Sequence, residues 1–397
     1  MSGFEILEED FDRVFMTDQE IIDRFVGNIL WTWGRATSGI LASGNTTDRS
    51  SPGTTAGGGV NWVQIATGGL NSRQGAAIKT DGTLWTWGQN GSGQLGDATT
   101  TSRSSPGTTA GGGTNWKQVS VGNLTITAIK TDGTLWAWGD GSRGALGDGT
   151  IANKSSPITT AGGGTNWKQV SAGSSLDASS SAAGAVKTDG TLWTWGSNNQ
   201  GLLGDGTGGN RSSPGTTAGG GTNWKQVSFG YQMGAAIKTD GTLWTWGYNN
   251  RGQLGDSTIT NRSSPGTTSG GGTTWKQVDI SKSDSSAGGI KTDGTLWTWG
   301  ANLLGSLGDG TTTSRSSPGT TAGGGTNWKQ FAFGDTSSAA VKLDGTLWTW
   351  GGNASGQLGT GTSGVGTSRS SPGTTVSNSR FWKTVSCGYR MVYGIAD

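Results

Sequence analysis

The sequence predicts an all-β protein, a seven-bladed β-propeller of four-stranded blades, and three observations predict it. A Trp-x-Trp-Gly signature recurs seven times, at Trp31/Trp33, Trp85/Trp87, Trp136/Trp138, Trp193/Trp195, Trp244/Trp246, Trp297/Trp299 and Trp348/Trp350. Six of the seven follow an Asp-Gly step between two short apolar runs, the strongest short-range hairpin signal, and one that predicts a two-residue type I′ turn. The two ends of the chain carry complementary halves of one repeat: Trp382 to Asp397 supplies two strands, and Gly27 to Thr55 the other two. A ring gains from that complementarity, because pairing the ends leaves no unprotected sheet edge, whereas an open stack gains nothing.

Residues 1–25 differ from everything that follows. They hold eight acidic and two basic residues, every Glu in the chain (Glu5, Glu8, Glu9 and Glu20) and four of the eight Phe. Phe4, Leu7, Phe11 and Phe15 fall on one face of a helix, and Thr17-Asp18 reads as the cap of a second short helix. The expectation is a short helical or extended acidic arm, amphipathic, appended to a propeller over 26–397. Such an arm either folds back on its own propeller or docks on another protein. With no basic start ahead of an apolar stretch, the segment does not read as a secretory signal.

The repeat itself reads strand by strand from Trp224. Trp224-Lys-Gln-Val-Ser is a first strand and Ala235-Ala-Ile-Lys-Thr a second; the turn at Asp240-Gly241 leads to Thr242-Leu-Trp-Thr-Trp, and Arg262-Ser-Ser-Pro-Gly-Thr-Thr closes the blade. Whole blades start near Trp62, Trp116, Trp167, Trp224, Trp275 and Trp328, and a split blade joins 382–397 to 26–55. In the third strand Trp244 and Trp246 point to one face, Leu243 and Thr245 to the other, so both faces need covering. Pro265 cannot donate to a ladder and belongs on an exposed edge, as do Pro52, Pro106, Pro157, Pro214, Pro318 and Pro372. Gly at 77 of 397 residues and 14% charge would suggest disorder, but 21 Trp, three per blade, do not. Each buried Trp contributes roughly 4–6 kcal/mol of gross transfer free energy, so the core is aromatic.

Composition removes whole classes of function. A net charge of +2 and no apolar run of 18 residues exclude a strongly basic nucleic-acid surface and a membrane span. With no His and one cysteine, Cys387, there is no His-based triad, no usual zinc or haem ligation and no internal disulfide. Leu-Gly-Asp-Gly at Asp148, Asp205 and Asp309 lacks the dense carboxylates of a calcium loop and reads as a tight turn. The Gly-Gly-Gly connectors lack the Lys-Ser/Thr that would grip a nucleotide. The chain is therefore expected to be no enzyme and to carry no cofactor or metal.

Taken together, Val-Ser-x-Gly, Ala-Ile-Lys-Thr-Asp-Gly-Thr-Leu-Trp-Thr-Trp-Gly and Asn-x-x-Gly-Gln-Leu-Gly resemble the repeats of the regulator of chromosome condensation family over residues 26–397. That resemblance implies a seven-bladed propeller. Family members that act as guanine-nucleotide exchange factors usually have a His after the Val-x-x-Gly step; this chain has none, and no long insertion between blades to serve as an exchange wedge. The uniform Arg-Ser-Ser-Pro-Gly-Thr-Thr-Ala-Gly-Gly-Gly-Thr-Asn-Trp version resembles repeats of bacteriophage structural proteins.

Where the repeats disagree with one another, two segments change: the one after Val-Ser-x-Gly and the one after Trp-x-Trp-Gly. Loops on a rigid frame are where binding usually resides, and Arg143, Tyr231, Tyr248, Arg251, Tyr389 and Arg390 are the expected surface anchors. A second candidate is a ring of cations on the rim, Arg49, Arg103, Lys154, Arg211, Arg262, Arg315 and Arg369, facing an anionic partner. The function expected from these features is a structural and interaction protein of a phage virion, as decoration, fibre or tail-associated receptor contact. The arm would dock on another virion protein through Phe4, Leu7, Phe11 and Phe15, and the propeller would meet a host glycan or protein. The alternative is a free cellular or secreted propeller that binds glycans or proteins as a scaffold, including a small-GTPase regulator.

Overall fold

Each repeat buries an apolar stripe on both sides of its sheet, so no blade is stable alone and neighbours must stack. The computed structural model describes residues 27–397 apart from 58, 70, 71, 175–180, 271, 365 and 377–379. The predicted arm, with Phe4, Leu7, Phe11 and Phe15, lies outside the described residues. Seven four-stranded antiparallel sheets follow one another, the first strand of each innermost and the Pro-containing strand outermost. In the first whole blade the strands are Trp62–Thr67, Gln74–Lys79, Leu84–Gly88 and Arg103–Thr108. Blades are numbered here from that one, so Trp116, Trp167, Trp224, Trp275 and Trp328 open blades two to six. Blade seven is the split one: Ile29–Gly34 pairs antiparallel with Met391–Ala396, with Ile29 opposite Ala396 and Gly34 opposite Met391. The ring closes between the two ends of the chain, as the complementary halves predict.

The second Trp of every pair joins its blade to the preceding one. Its indole N–H donates to a carbonyl of the neighbour: Trp87 to Ile40, Trp138 to Gln94, Trp195 to Ala145, Trp246 to Leu202, Trp299 to Gln253, Trp350 to Ser306 and Trp33 to Gln357, at 2.8–3.2 Å. Gly96, next to Gln94 and Leu95, illustrates why the motif needs glycine. Its φ is +67°, and a Cβ there would stand 2.6 Å from the Trp138 Nε1. In each of the six whole blades the Lys that ends the second strand sits over two Trp rings of its own blade, as Lys238 does at 4.8 Å from Trp224 and 4.3 Å from Trp244. In the outermost strand the register shifts around the Ser-Ser-Pro step, so Pro265 is accommodated on the free edge.

One local expectation is corrected. A type I′ turn needs positive φ at both central residues, and among the Asp-Gly steps only the glycine has it, Gly82 at +76° for example. The loop is three residues long, Thr80-Asp81-Gly82: the Gly82 N–H donates to the Lys79 carbonyl and the Lys79 N–H to the Thr83 carbonyl. Asp81 stays in ordinary backbone space because its carboxylate accepts from the Thr83 N–H and hydroxyl, at 2.9 and 2.7 Å. Those bonds hold the carboxyl below the usual Asp range, as they do for Asp132, Asp189, Asp240, Asp293 and Asp344.

Candidate functional site

Strand alternation decides which loops share a face. First and third strands run one way, so the segments that follow them emerge together. The hairpin turns and Gly-rich connectors emerge on the opposite side. The two variable segments of all seven repeats therefore lie on one face of the disc, the loop face, and the repeated Asp-Gly turns on the other, the turn face.

At the centre, the first strands line a channel of about 280 Å³. Six glutamines bind each blade to the next there. Gln64 donates to the Val119 carbonyl and accepts from its N–H, and Gln118, Gln169, Gln226 and Gln330 do the same to Val170, Val227, Val278 and Val385. Gln277 donates to the Phe331 carbonyl. The seventh position is Thr384, and the seam from blade seven to blade one is held instead by Thr67, whose hydroxyl meets Ser386 and donates to the Cys387 carbonyl. The Tyr393 phenol adds to this seam, donating to the Ile40 carbonyl and accepting from the Trp87 indole.

Blade five departs from the pattern. Where blades two, three, four and seven have Ser, it has Asp279, whose carboxylate accepts from the Phe333 N–H and the Ser228 hydroxyl. Three residues on, Lys282 reaches across the channel mouth and donates to the carbonyls of Thr67 and Val121, at 3.1 and 2.7 Å, while its own carbonyl accepts from Ser174. One side chain thus ties blade five to blades one and two. Both charges keep some surface, but that surface lines the channel wall, so water cannot solvate them fully. Desolvation pushes the Asp279 carboxyl up to about 6, and pulls the Lys282 ammonium down to about 8.

Beside this plug the loop face gathers a mixed patch from blades four to seven. Burial raises the Asp284 carboxyl despite Arg251 nearby. Burial, and then the Asp284 charge, push Asp335 up to about 6, opposed by Arg390 at 3.7 Å. The guanidiniums of Arg390 and Arg35 each lie 5.3 Å from the Tyr389 ring. Leu303 and Leu304 stand 45% and 50% exposed on blade five, Leu304 leaning over Gly352 of blade six.

The structure thus brings Arg251, Tyr389 and Arg390 into one neighbourhood, with Tyr248 on the same loop as Arg251. Arg143 stands apart on blade two, at φ +58°. Tyr231, expected to be exposed, is 8% exposed: its backbone bridges to Ser174 and its N–H donates to the Ser281 carbonyl, which folds the segment inward. The patch members not singled out beforehand are Asp279, Lys282, Asp284, Leu303, Leu304 and Asp335. The signal for two of them was in the repeats: only blade five places Asp at the Ser position and follows it with Lys.

The rim cations are not a free belt. Arg103, Lys154, Arg211, Arg262 and Arg315 pair with Asp97, Asp148, Asp205, Asp256 and Asp309, six residues earlier, at 2.5–3.7 Å. Arg49 and Arg369, whose repeats lack that Asp, donate to the Thr54 and Thr374 carbonyls. The Leu-Gly-Asp aspartates are the tight turns expected: Asp148 Oδ1 accepts from the Thr150 N–H at 2.9 Å. Among the described residues, no three His, Cys, Asp or Glu come together to hold a metal, and no helix is long and apolar enough to cross a membrane.

Fold and site together define a closed propeller whose charged and aromatic variation gathers on one face and at the channel mouth. The RCC1-like domain model matches residues 29–393, and the chain belongs to that family. It is 28% identical over 360 residues to the ultraviolet-B receptor UVR8 of Arabidopsis thaliana, covering 85% of this chain and 76% of the receptor. Human WBSCR16 superposes with a TM-score of 0.78 at 20% identity, over 94% of this chain and 99% of that one. Prp20p of Saccharomyces cerevisiae, described with its binding to Gsp1p and histones, superposes with a TM-score of 0.77 at 17% identity, over 100% and 96%. At those identities the two structures speak for the fold alone.

Proposed function

We propose that this chain is a non-enzymatic protein-interaction module that recognises a protein partner through its loop face, in the manner of a receptor or GTPase-regulator propeller. The observation that supports this most is the gathering of Arg251, Tyr389 and Arg390 beside two desolvated carboxylates, Asp284 and Asp335, with Leu303 and Leu304 exposed on the same face. Arg, Tyr and exposed Leu pairs are what protein interfaces use as anchors, and the patch lies on the face where the repeats differ. The relatives above are cellular proteins, and binding to Gsp1p and histones is described for Prp20p. A narrower setting, display on a bacteriophage particle, rests on the repeat style alone and receives no support from these relatives.

The test is a binding panel of small GTPases, core histones and a glycan array, probed with wild type and with R251E/R390E and L303S/L304S. Saturable binding to a protein on the panel, lost in both variants with the melting temperature unchanged, is the expected result. Binding only to glycans, or protein binding indifferent to both variants, contradicts the reading.

A further inference from the structure

On the turn face, exposed apolar side chains replace polar ones of the repeat in one sector. At the residue before the conserved Asn-Trp step the whole blades carry Thr, but blade one carries Val60; at the residue after that Trp they carry Lys, but blade one carries Val63. Entering blade seven, Phe381 replaces the usual Asn, and in the turn of blade six Leu343 replaces Thr. All four changes put an apolar side chain where the repeat has a polar one, and all four are exposed, at 43%, 48%, 37% and 62%. They occupy three consecutive blades, six, seven and one, and Phe381 lies against Gly345 in the same turn as Leu343.

The split turn of blade seven stands in the middle of this sector, and there the described chain begins. The Asn28 carbonyl accepts from the Trp62 N–H, as the turn glycine does in the other blades, and a Cβ on Gly27 would stand 2.9 Å from Val60. The first described residue, Gly27, thus stands beside the patch, and residues 1–26 precede it in the chain. They carry the apolar series Phe4, Leu7, Phe11 and Phe15, and a charge of −6, so the remaining 371 residues carry +8 to give the total of +2. Charged groups border the patch: Lys329 lies 5.9 Å from the Phe381 ring, Lys383 donates to the Asn28 side chain, Lys342 and Asp344 flank Leu343 in the chain, and Asp397 accepts from the Phe381 N–H. Arg380 lies over the Trp31 ring at 3.8 Å. Twelve residues separate Phe15 from Gly27, a reach of up to ~40 Å, so length does not limit the contact.

We propose that the N-terminal segment docks in cis on this sector of the turn face, with Phe4, Leu7, Phe11 and Phe15 covering Val60, Val63, Leu343 and Phe381. The segment is thereby a cover for the seam where the ring closes, on the side away from the loop face, and this docking is independent of the partner reading. Its test uses the full chain with cysteine pairs, Cys387 being buried. A short bis-maleimide should join F11C to V63C within one molecule, seen as a faster-migrating monomer on a denaturing gel. It should not join F11C to K225C, the matching position on blade four. Substituting Ser for all four N-terminal apolar residues should raise hydrogen exchange at 60–64 and 380–383. Cross-linked dimers in place of the faster monomer, equal cross-linking to both positions, or unchanged exchange would each overturn the proposal.

Discussion

On the turn face the same three-residue hairpin loop is built six times around an Asp-Gly step followed by Thr, with the same hydrogen bonds, while on the loop face no two blades present the same side chains. The difference separates what folds the chain from what it can recognise. Uniform positions satisfy backbone groups and fill the gaps between blades. Variable ones, relieved of that duty, can carry charge that burial makes costly, as Asp279, Lys282, Asp284 and Asp335 do. Structural demand is repeated; functional demand is local.

Breaking a uniform position should cost stability and leave recognition alone. The largest effect is expected at W246A, which empties a fully buried site and removes the bond to Leu202: a loss of about 3–5 kcal/mol in denaturant unfolding. Next is N249A. The Asn249 side-chain Oδ1 accepts from the Leu254 N–H, and its Nδ2 donates to Asp256 and to the Thr258 and Thr260 carbonyls, so its removal orphans several buried groups, at about 2 kcal/mol. Smallest is R262A on the rim, whose pair with Asp256 is one-third exposed on the Arg side and should contribute about 0.5 kcal/mol or less.

Between these lies a titration that sharpens the contrast at Asp279. Folding raises its pKa from the ordinary 3.8 to about 6, so the folded state holds a proton that the unfolded chain has released across that window. Stability from this group is therefore lost as pH climbs from about 4 to about 6. D279S, which restores the residue of blades two, three, four and seven, should remove that slope, so that the stability of the variant relative to wild type rises across the window by on the order of 1 kcal/mol. A gap flat with pH would show that the carboxylate is well solvated and that the channel mouth is open.

Much of the fold was legible because the determinants are local and repeated: the Trp spacing, the edge prolines and the two half-repeats at the ends. The turn type was misread, since Asp-Gly is shared by two hairpin loops and the choice was made by the following Thr, which ties Asp81 into the longer one. The Arg-to-Asp pairing on the rim follows a constant six-residue spacing that a reading by charge alone did not use. The repeats mark Lys282 as unusual, but its partners were beyond local reading: the acceptors on Thr67 and Val121 lie 215 and 161 residues away in sequence and meet it only after the ring has closed. Tyr231 was misplaced for the same reason, its inward turn being set by Ser174 and Ser281.

The central claim is that recognition belongs to the loop face. The most direct measurement compares the affinity of a panel partner for R251E/R390E with its affinity for a matched turn-face variant, K168E/K225E, both at physiological salt. The account predicts at least a hundredfold loss for the first and less than a threefold change for the second. Comparable losses in both, or a loss confined to the turn-face variant, would contradict it.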